Sequence, residues 1–235
     1  MYNRIVEKGR IIVKNGASES LIKRILNSVA DAFYPVRCPY CGRVIYREYY
    51  ACEDCKRKMP DVPTVSRVEG GYRCTAPFMY KDEFSEAVKA LKFSGREQYA
   101  KPLAFAVVGA LQCSGVNLDF DYVACVPMHA VQKRERGYNQ SELLARECAR
   151  FLGTEYIDAL EKFKKNKVQH TLSGSERRNN VKGVYRAVDK EKLKGKRILL
   201  IDDIVTTGST LAECSKILNK CGCKEIECAV VCNVG

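Results

Sequence analysis

The stretch Ile198-Leu199-Leu200-Ile201-Asp202-Asp203-Ile204-Val205-Thr206-Thr207-Gly208-Ser209-Thr210 joins an apolar run to two acids and then to a small hydroxylated turn. An apolar run that does not alternate is a central strand covered on both faces. In open α/β sheets ligands bind beyond the carboxyl ends of the strands, and Asp202 and Asp203 emerge there. The turn formed by Thr206, Thr207, Gly208, Ser209 and Thr210 presents backbone N–H groups and hydroxyls at the start of a helix, which suits a phosphate monoester. Adjacent carboxylates below that phosphate can accept both hydroxyls of a ribose, so the segment reads as a ribose 5-phosphate cradle. It lacks the Gly-Lys-Ser/Thr end of a P-loop and the GxGxxG of a dinucleotide turn. The plain alternative is a strand and a helix with two incidental acids, but neighbouring charges at the end of a buried strand need a reason.

Four of the thirteen cysteines form a second constellation. Cys38-Pro-Tyr-Cys41 and Cys52-Glu-Asp-Cys55 are two CxxC knuckles with ten residues between them, and Gly42 permits a tight turn after the first. Four thiolates in this arrangement make a closed, structural Zn²⁺ site with no position left for substrate. Four reduced core cysteines are the bland alternative. A redox pair fits less well, because neither CxxC sits where a strand opens into a helix. Of the other nine cysteines only Cys221 and Cys223 are closely spaced, and small buried hydrophobes is the better reading of them.

Two basic segments flank this chemistry. Val126-Pro127 ends a strand at the same sheet edge as the cradle, so the turn through Met128 and His129 is placed to meet a pyrophosphate. Lys133, Arg134 and Arg136 would supply charge there, and Arg suits forked contacts with phosphate oxygens. A basic surface turn is the competing reading, and His129 alone proves little. From Glu161 to Arg186 there are eight Lys/Arg and two acids, which is half of the chain's net charge of +12. The loop from Lys164 to Arg186 is longer than ordinary connections and has few large apolar groups, as lids and binding loops do. A solvated charge run is the alternative.

The elements that must hold these residues follow from periodicity. Leu21, Ile22, Ile25, Leu26, Val29 and Phe33 recur at helical steps from Ser18 to Phe33. After the cysteines, Met59 to Pro63 is Pro-containing and a boundary falls near Pro60 to Glu69, giving an N-terminal helix and zinc segment over 1–64 and a main domain over 65–235. Arg73 to Tyr80 reads as a strand, Phe84 to Phe93 as a helix ending at Gly95, and a longer apolar helix follows Pro102. Then come strand Tyr122 to Val126, helix Ser141 to Leu152, strand Tyr156 to Leu160, the basic loop, strand Arg197 to Ile201, helix Ser209 to Lys220 and strand Glu227 to Cys232. Such alternation argues for an α/β fold with a parallel sheet flanked by helices.

With 235 residues, 46% of them hydrophobic and 29% charged, the composition is that of a globular protein with one main domain and a small appendage. The longest charge-free apolar stretch, Leu103 to Gly115, is short of the roughly 18 to 20 residues of a membrane span. Met1 to Lys14 does not read as a secretory signal, so a cytoplasmic location and reduced cysteines are the expectation.

The string DDIVTTGST resembles the phosphoribosyl pyrophosphate (PRPP) motif of type I phosphoribosyltransferases. Cys125-Val126-Pro127-Met128-His129, Lys133-Arg134-Glu135-Arg136-Gly137-Tyr138-Asn139-Gln140, and Leu172-Ser173 with Glu176-Arg177 and Asn180 are similar in order and spacing to the ComF family of phosphoribosyltransferase-like proteins. That family also carries an N-terminal four-cysteine zinc segment, so the resemblance runs from about Phe33 to Cys232. Relatives commonly have Phe where Tyr138 stands, and an Arg/Thr-containing stretch before the Gln where this chain has Lys164-Lys165-Asn166-Lys167-Val168-Gln169. The resemblance implies a type I phosphoribosyltransferase-like sheet, a flexible loop closing over the site, and a link to bacterial DNA uptake and competence or, in the GntX branch of the family, to gluconate use.

Two functions stay open on the sequence. In the first, an enzyme transfers ribosyl 5-phosphate from PRPP with Mg²⁺ to a nitrogen nucleophile. Asp202 and Asp203 would hold the ribose and act in catalysis with Arg177, residues 206–210 would hold the 5-phosphate, and Met128, His129, Lys133, Arg136 and Arg177 would face the pyrophosphate. In the second, the same pocket senses a nucleotide without catalysis, while the zinc segment and basic loop contact single-stranded DNA or a protein of the uptake machinery. Tyr46, Tyr49 and Tyr50 are the one aromatic cluster beside a basic patch that could stack on bases.

Overall fold

The computed structural model describes residues 35–46, 49–164 and 183–235. The helix expected over 18–33 and most of the basic loop, including Arg177, lie outside the described residues.

The chain opens on the two cysteine knuckles and helix α1 (Glu53–Lys58). It continues through β1 (Thr64–Arg67), β2 (Arg73–Ala76), β3 (Phe78–Met79), α2 (Asp82–Phe93) and α3 (Ala100–Cys113), then β4 (Tyr122–Cys125), α4 (Ala130–Arg136), α5 (Gln140–Leu152) and β5 (Glu155–Tyr156). The last third holds β6 (Leu160–Lys162), β7 (Tyr185–Ala187), α6 (Lys190–Leu193), β8 (Arg197–Val205), α7 (Ser209–Lys220) and β9 (Glu225–Asn233). The main sheet has the order β1-β2-β9-β8-β4-β5, with β3 also on β9, and is parallel apart from the β1–β2 pair.

The central strands are apolar on both faces, as the unbroken run Ile198 to Ile201 requires. Leu199 and Ile201 enter a core with Val123, Ala229 and Val231 under α3 and α5. Ile198 and Leu200 enter a second core with Ala124, Cys228 and Val230 against α7. All four β8 residues are fully buried, and each contributes roughly 1.5–3 kcal/mol of apolar transfer. The zinc segment is not a separate bead: Cys38, Tyr40, Cys52 and Cys55 join the first of these cores. Tyr40 packs edge-on against Phe78 and Phe84, at 5.6 and 5.4 Å.

Three differences from the periodicity have local causes. The single strand read over Arg73 to Tyr80 is split by Pro77, which has no N–H for the ladder, and both halves pair with β9. The strand read over Tyr156 to Leu160 is two strands in different sheets, because β6 leaves the main sheet and pairs with β7. The turn after Val126 contains a further short helix, α4, capped by His129 Nδ1 accepting from Val131 N at 3.3 Å. Among the described residues no helix is long and apolar enough to cross a membrane.

The end of α2 is tied down from a distance. The last carbonyls of a helix lack intrahelical partners, and the Tyr138 hydroxyl donates to the Leu91 carbonyl there. Tyr138→Phe is expected to cost about 1 kcal/mol, read as a lower urea midpoint at unchanged slope.

Candidate functional site

A cavity of about 410 Å³ opens at the carboxyl ends of β4 and β8. It is bordered by Asp202 and Asp203, by the whole turn 206–210, and by Met128, Arg136 and Gln140. Every residue expected in the ribose-phosphate cradle therefore borders one space. Strand β8 runs past Ile201 to Val205, because Asp202 and Ile204 keep their places in the ladder opposite Val230 and Cys232. The ladder thus fixes the backbone that carries both acids.

The two carboxylates have different surroundings. Asp202 Oδ1 accepts from Ser141 Oγ at 2.8 Å and from the Asp203 N–H at 2.9 Å. Its Oδ2 has no hydrogen-bond partner among the described residues. Burial pushes the Asp202 carboxyl up to about 7, with the neighbouring Asp203 charge adding to the effect. Asp203 is filled on both oxygens. Oδ1 accepts from the Ile204 N–H at 2.8 Å, and Oδ2 accepts from Gln140 Nε2 at 3.1 Å and from Lys92 Nζ at 2.7 Å. Burial by itself lowers the Lys92 ammonium, but the charge and hydrogen bond of Asp203 outweigh it and hold the pKa above the usual lysine value.

The turn 206–210 owes its shape to one glycine. Gly208 has φ +71° and stands at the N-cap of α7, where it offers no side chain to cover the helix N–H groups. A Cβ at this position would come within 2.6 Å of Val68 Cγ1. Thr207 Oγ1 and Ser209 Oγ are hydrogen-bonded at 2.8 Å, and the Ser209 N–H makes a long 3.5 Å contact to Thr207 Oγ1. The result is an uncapped helix end with hydroxyls around it, a ready anion site.

The middle motif divides. Met128 and Arg136 border the cavity, whereas His129 and Lys133 are not among the residues that line it. His129 caps α4, and Lys133 pairs with Glu142 at 2.7 Å. Arg136 reaches Gln140 Oε1 at 2.5 Å and lies 5.2 Å over the Phe93 ring. Asn139 caps α5 through Ser141 N and also donates to the Val126 carbonyl at 3.2 Å, locking β4 to α5. Arg177 lies outside the described residues, but the two strands that flank its loop send Lys162 and Tyr185 into the cavity wall. Burial lowers the Lys162 ammonium.

Sequence reasoning missed Lys92 and gave no role to Gln140 or Ser141. A signal for Lys92 existed: it stands four residues after Val88, so it continues the inward stripe of α2, and both residues border the cavity.

The Sγ atoms of Cys38, Cys41, Cys52 and Cys55 lie within 4.8 Å of one another. Four Zn–S bonds of about 2.3 Å place sulfurs about 3.8 Å apart, so the cluster fits a tetrahedral ion with little adjustment. Backbone N–H groups already shape the first knuckle, with Gly42 N bonded to the Cys38 carbonyl at 2.9 Å.

Residues 139–235 match the phosphoribosyl transferase domain family, and residues 29–85 match the double zinc ribbon domain. The chain is 30% identical over 224 residues to competence protein F of Haemophilus influenzae, covering 92% of this chain and 90% of that protein. It is 29% identical over 200 residues to DNA utilization protein YhgH of Escherichia coli O157:H7, with 83% of each chain covered. It is 28% identical over 190 residues to competence protein ComFC of Streptococcus pneumoniae, covering 81% of this chain and 77% of that one.

The turn over residues 206–210 makes a direct prediction. Gly208→Ala combines a left-handed backbone with a contact against Val68, and is expected to cost about 1–3 kcal/mol. Thermal unfolding reads it, and a melting curve unchanged from the parent protein would contradict this packing.

Proposed function

The chain belongs to the ComF family of phosphoribosyltransferase-fold proteins, and from that premise we propose that its cavity binds PRPP or a related ribose 5-phosphate ligand. One observation carries the reading: two strand-end carboxylates and an uncapped helix N-terminus border the same 410 Å³ space. The turn 206–210 would take the 5-phosphate on backbone N–H groups and the hydroxyls of Thr207 and Ser209. Asp202 and Asp203 would take the ribose hydroxyls. Met128 and Arg136 would face the diphosphate, together with Arg177 from the basic loop, while His129 and Lys133 would act from outside the cavity wall.

Mg²⁺ is part of this proposal. Asp202 Oδ2 is a hard oxygen without a hydrogen-bond partner among the described residues, and a diphosphate supplies more, which is the donor type that Mg²⁺ selects. When bound, the ion neutralises charge on a departing diphosphate. Transfer of the phosphoribosyl group to a nitrogen nucleophile is the enzymatic form of the proposal. The four-cysteine cluster is proposed to hold one structural Zn²⁺, since its closed donor set leaves no open position. The names of the relatives support a role in competence or DNA utilization.

A second reading has its own observation. Tyr46 and Tyr49 are 74% and 46% exposed and 6.1 Å apart, with Lys56 4.8 Å from the Tyr49 ring. Tyr50 instead packs on Phe105 at 4.3 Å. Two outward tyrosines beside cations suit stacking with single-stranded bases, so the zinc segment is proposed as the DNA-facing part of a non-catalytic nucleotide-sensing module.

Calorimetry with PRPP and Mg²⁺ tests the main reading. The parent protein is expected to bind and Asp203→Asn to lose binding, and unchanged binding in the variant would remove the proposal. Pyrophosphate release on adding nucleobases reports transfer. For the module, affinity for single-stranded DNA should fall steeply with salt and weaken in Tyr49→Ala, with no pyrophosphate released from PRPP and any base. Salt-independent binding, or binding indifferent to Tyr49, counts against it.

A further inference from the structure

Asp203 poses a problem for any sugar. Both of its oxygens already accept, Oδ1 from the Ile204 N–H and Oδ2 from both Gln140 and Lys92. Oδ2 already accepts from two donors, so a ribose hydroxyl that approaches this oxygen must replace one of them. Gln140 is anchored by Arg136 through its other end. Lys92 has no second side-chain anchor of that kind among the described residues, and its long side chain borders the cavity. Its side chain is 25% exposed against 6% for that of Asp203, so Lys92 is the more solvent-accessible partner of the pair.

A hydroxyl replaces the hydrogen bond of an ammonium but not its charge. The displaced charge needs a new partner, because an unpaired ion in a poorly solvated site is costly. An ammonium has three donors and is a compact point charge suited to phosphate oxygens. Arg136 borders the same cavity, close to the Phe93 ring that follows Lys92 in sequence. The two cations therefore flank one region of the opening.

We infer that Lys92 changes partner when the ligand enters: it is the counter-ion of Asp203 in the free protein and the cation of the ligand's diphosphate in the complex. This rests on the PRPP reading and deepens it, by naming what selects a diphosphate over a simple sugar phosphate. Ribose 5-phosphate offers hydroxyls to Asp203 but no anion to receive the released ammonium. PRPP offers both. The Tyr138 hydroxyl holds the Leu91 carbonyl next to Lys92, so the exchange is a side-chain movement on a fixed helix end.

Calorimetry comparing PRPP with ribose 5-phosphate, each with Mg²⁺, tests the inference. The parent protein is expected to prefer PRPP. Lys92→Gln keeps an amide donor for Asp203 but removes the charge, so PRPP affinity should fall roughly 10- to 100-fold. Ribose 5-phosphate affinity should change by less than about threefold, since the hydroxyl contacts remain. Equal losses for both ligands, or no loss for either, overturns the exchange. Binding of neither ligand to the parent protein overturns the PRPP reading itself, a different failure.

A second measurement uses the unaltered chain and does not depend on the variant folding. Acetylation of lysine amines, followed residue by residue by mass spectrometry, reads whether the Lys92 ammonium is held or released. Ribose 5-phosphate is expected to speed Lys92 acetylation and PRPP to slow it. Equal protection by the two ligands identifies a fixed counter-ion and overturns the inference.

Discussion

A carboxylate at the end of a fully buried strand stays ionised only if its charge is paired and it is hydrogen-bonded. Asp203 meets that condition with a lysine from α2, a glutamine from the first turn of α5 and the next N–H of its own strand. Three separate elements thus converge on one side chain. Much else near the site exists to hold those donors in place: Arg136 anchors Gln140, Asn139 locks α5 to β4, and Tyr138 ties the end of α2.

Asp202 is arranged in the opposite way. It keeps one oxygen on Ser141 and the chain, leaves the other without a hydrogen-bond partner among the described residues, and resists ionisation because it is buried beside another acid. One strand thereby carries an ion-paired carboxylate next to one that burial makes reluctant to ionise, and a perturbed acid in a cleft is a mark of functional sites. The anion-seeking features stand apart from these acids, at the uncapped end of α7 and around Arg136. A ligand carrying hydroxyls in its middle and phosphates at its ends matches that alternation of charge.

The zinc segment answers a different constraint. Its knuckles close around sulfurs, yet Cys38, Cys52 and Cys55 lie in the same apolar cluster as Phe78 of β3 and Phe84 of α2. The four-cysteine site is therefore continuous with the core under α3 and α5, while the outward tyrosines of the segment remain on the surface.

Much was legible in the chain itself. The unbroken apolar run of β8, the acids at its end, the hydroxylated turn with its glycine, and the paired cysteines are all patterns set by neighbours a few residues apart, where periodicity and turn chemistry act. The split at Pro77 and the short helix α4 were misread because one missing N–H and one histidine cap outweigh a periodic signal. What only tertiary structure decided is which side chains meet. Gln140 and Asp203 are 63 residues apart, and the spacing that continues the inward stripe of α2 through Lys92 does not say which acid that lysine neutralises. Local sequence determines strands, turns and ligand-like clusters because those depend on short-range geometry. The pairing of a buried charge depends on the packing of three elements around a sheet edge, and no spacing along the chain encodes it.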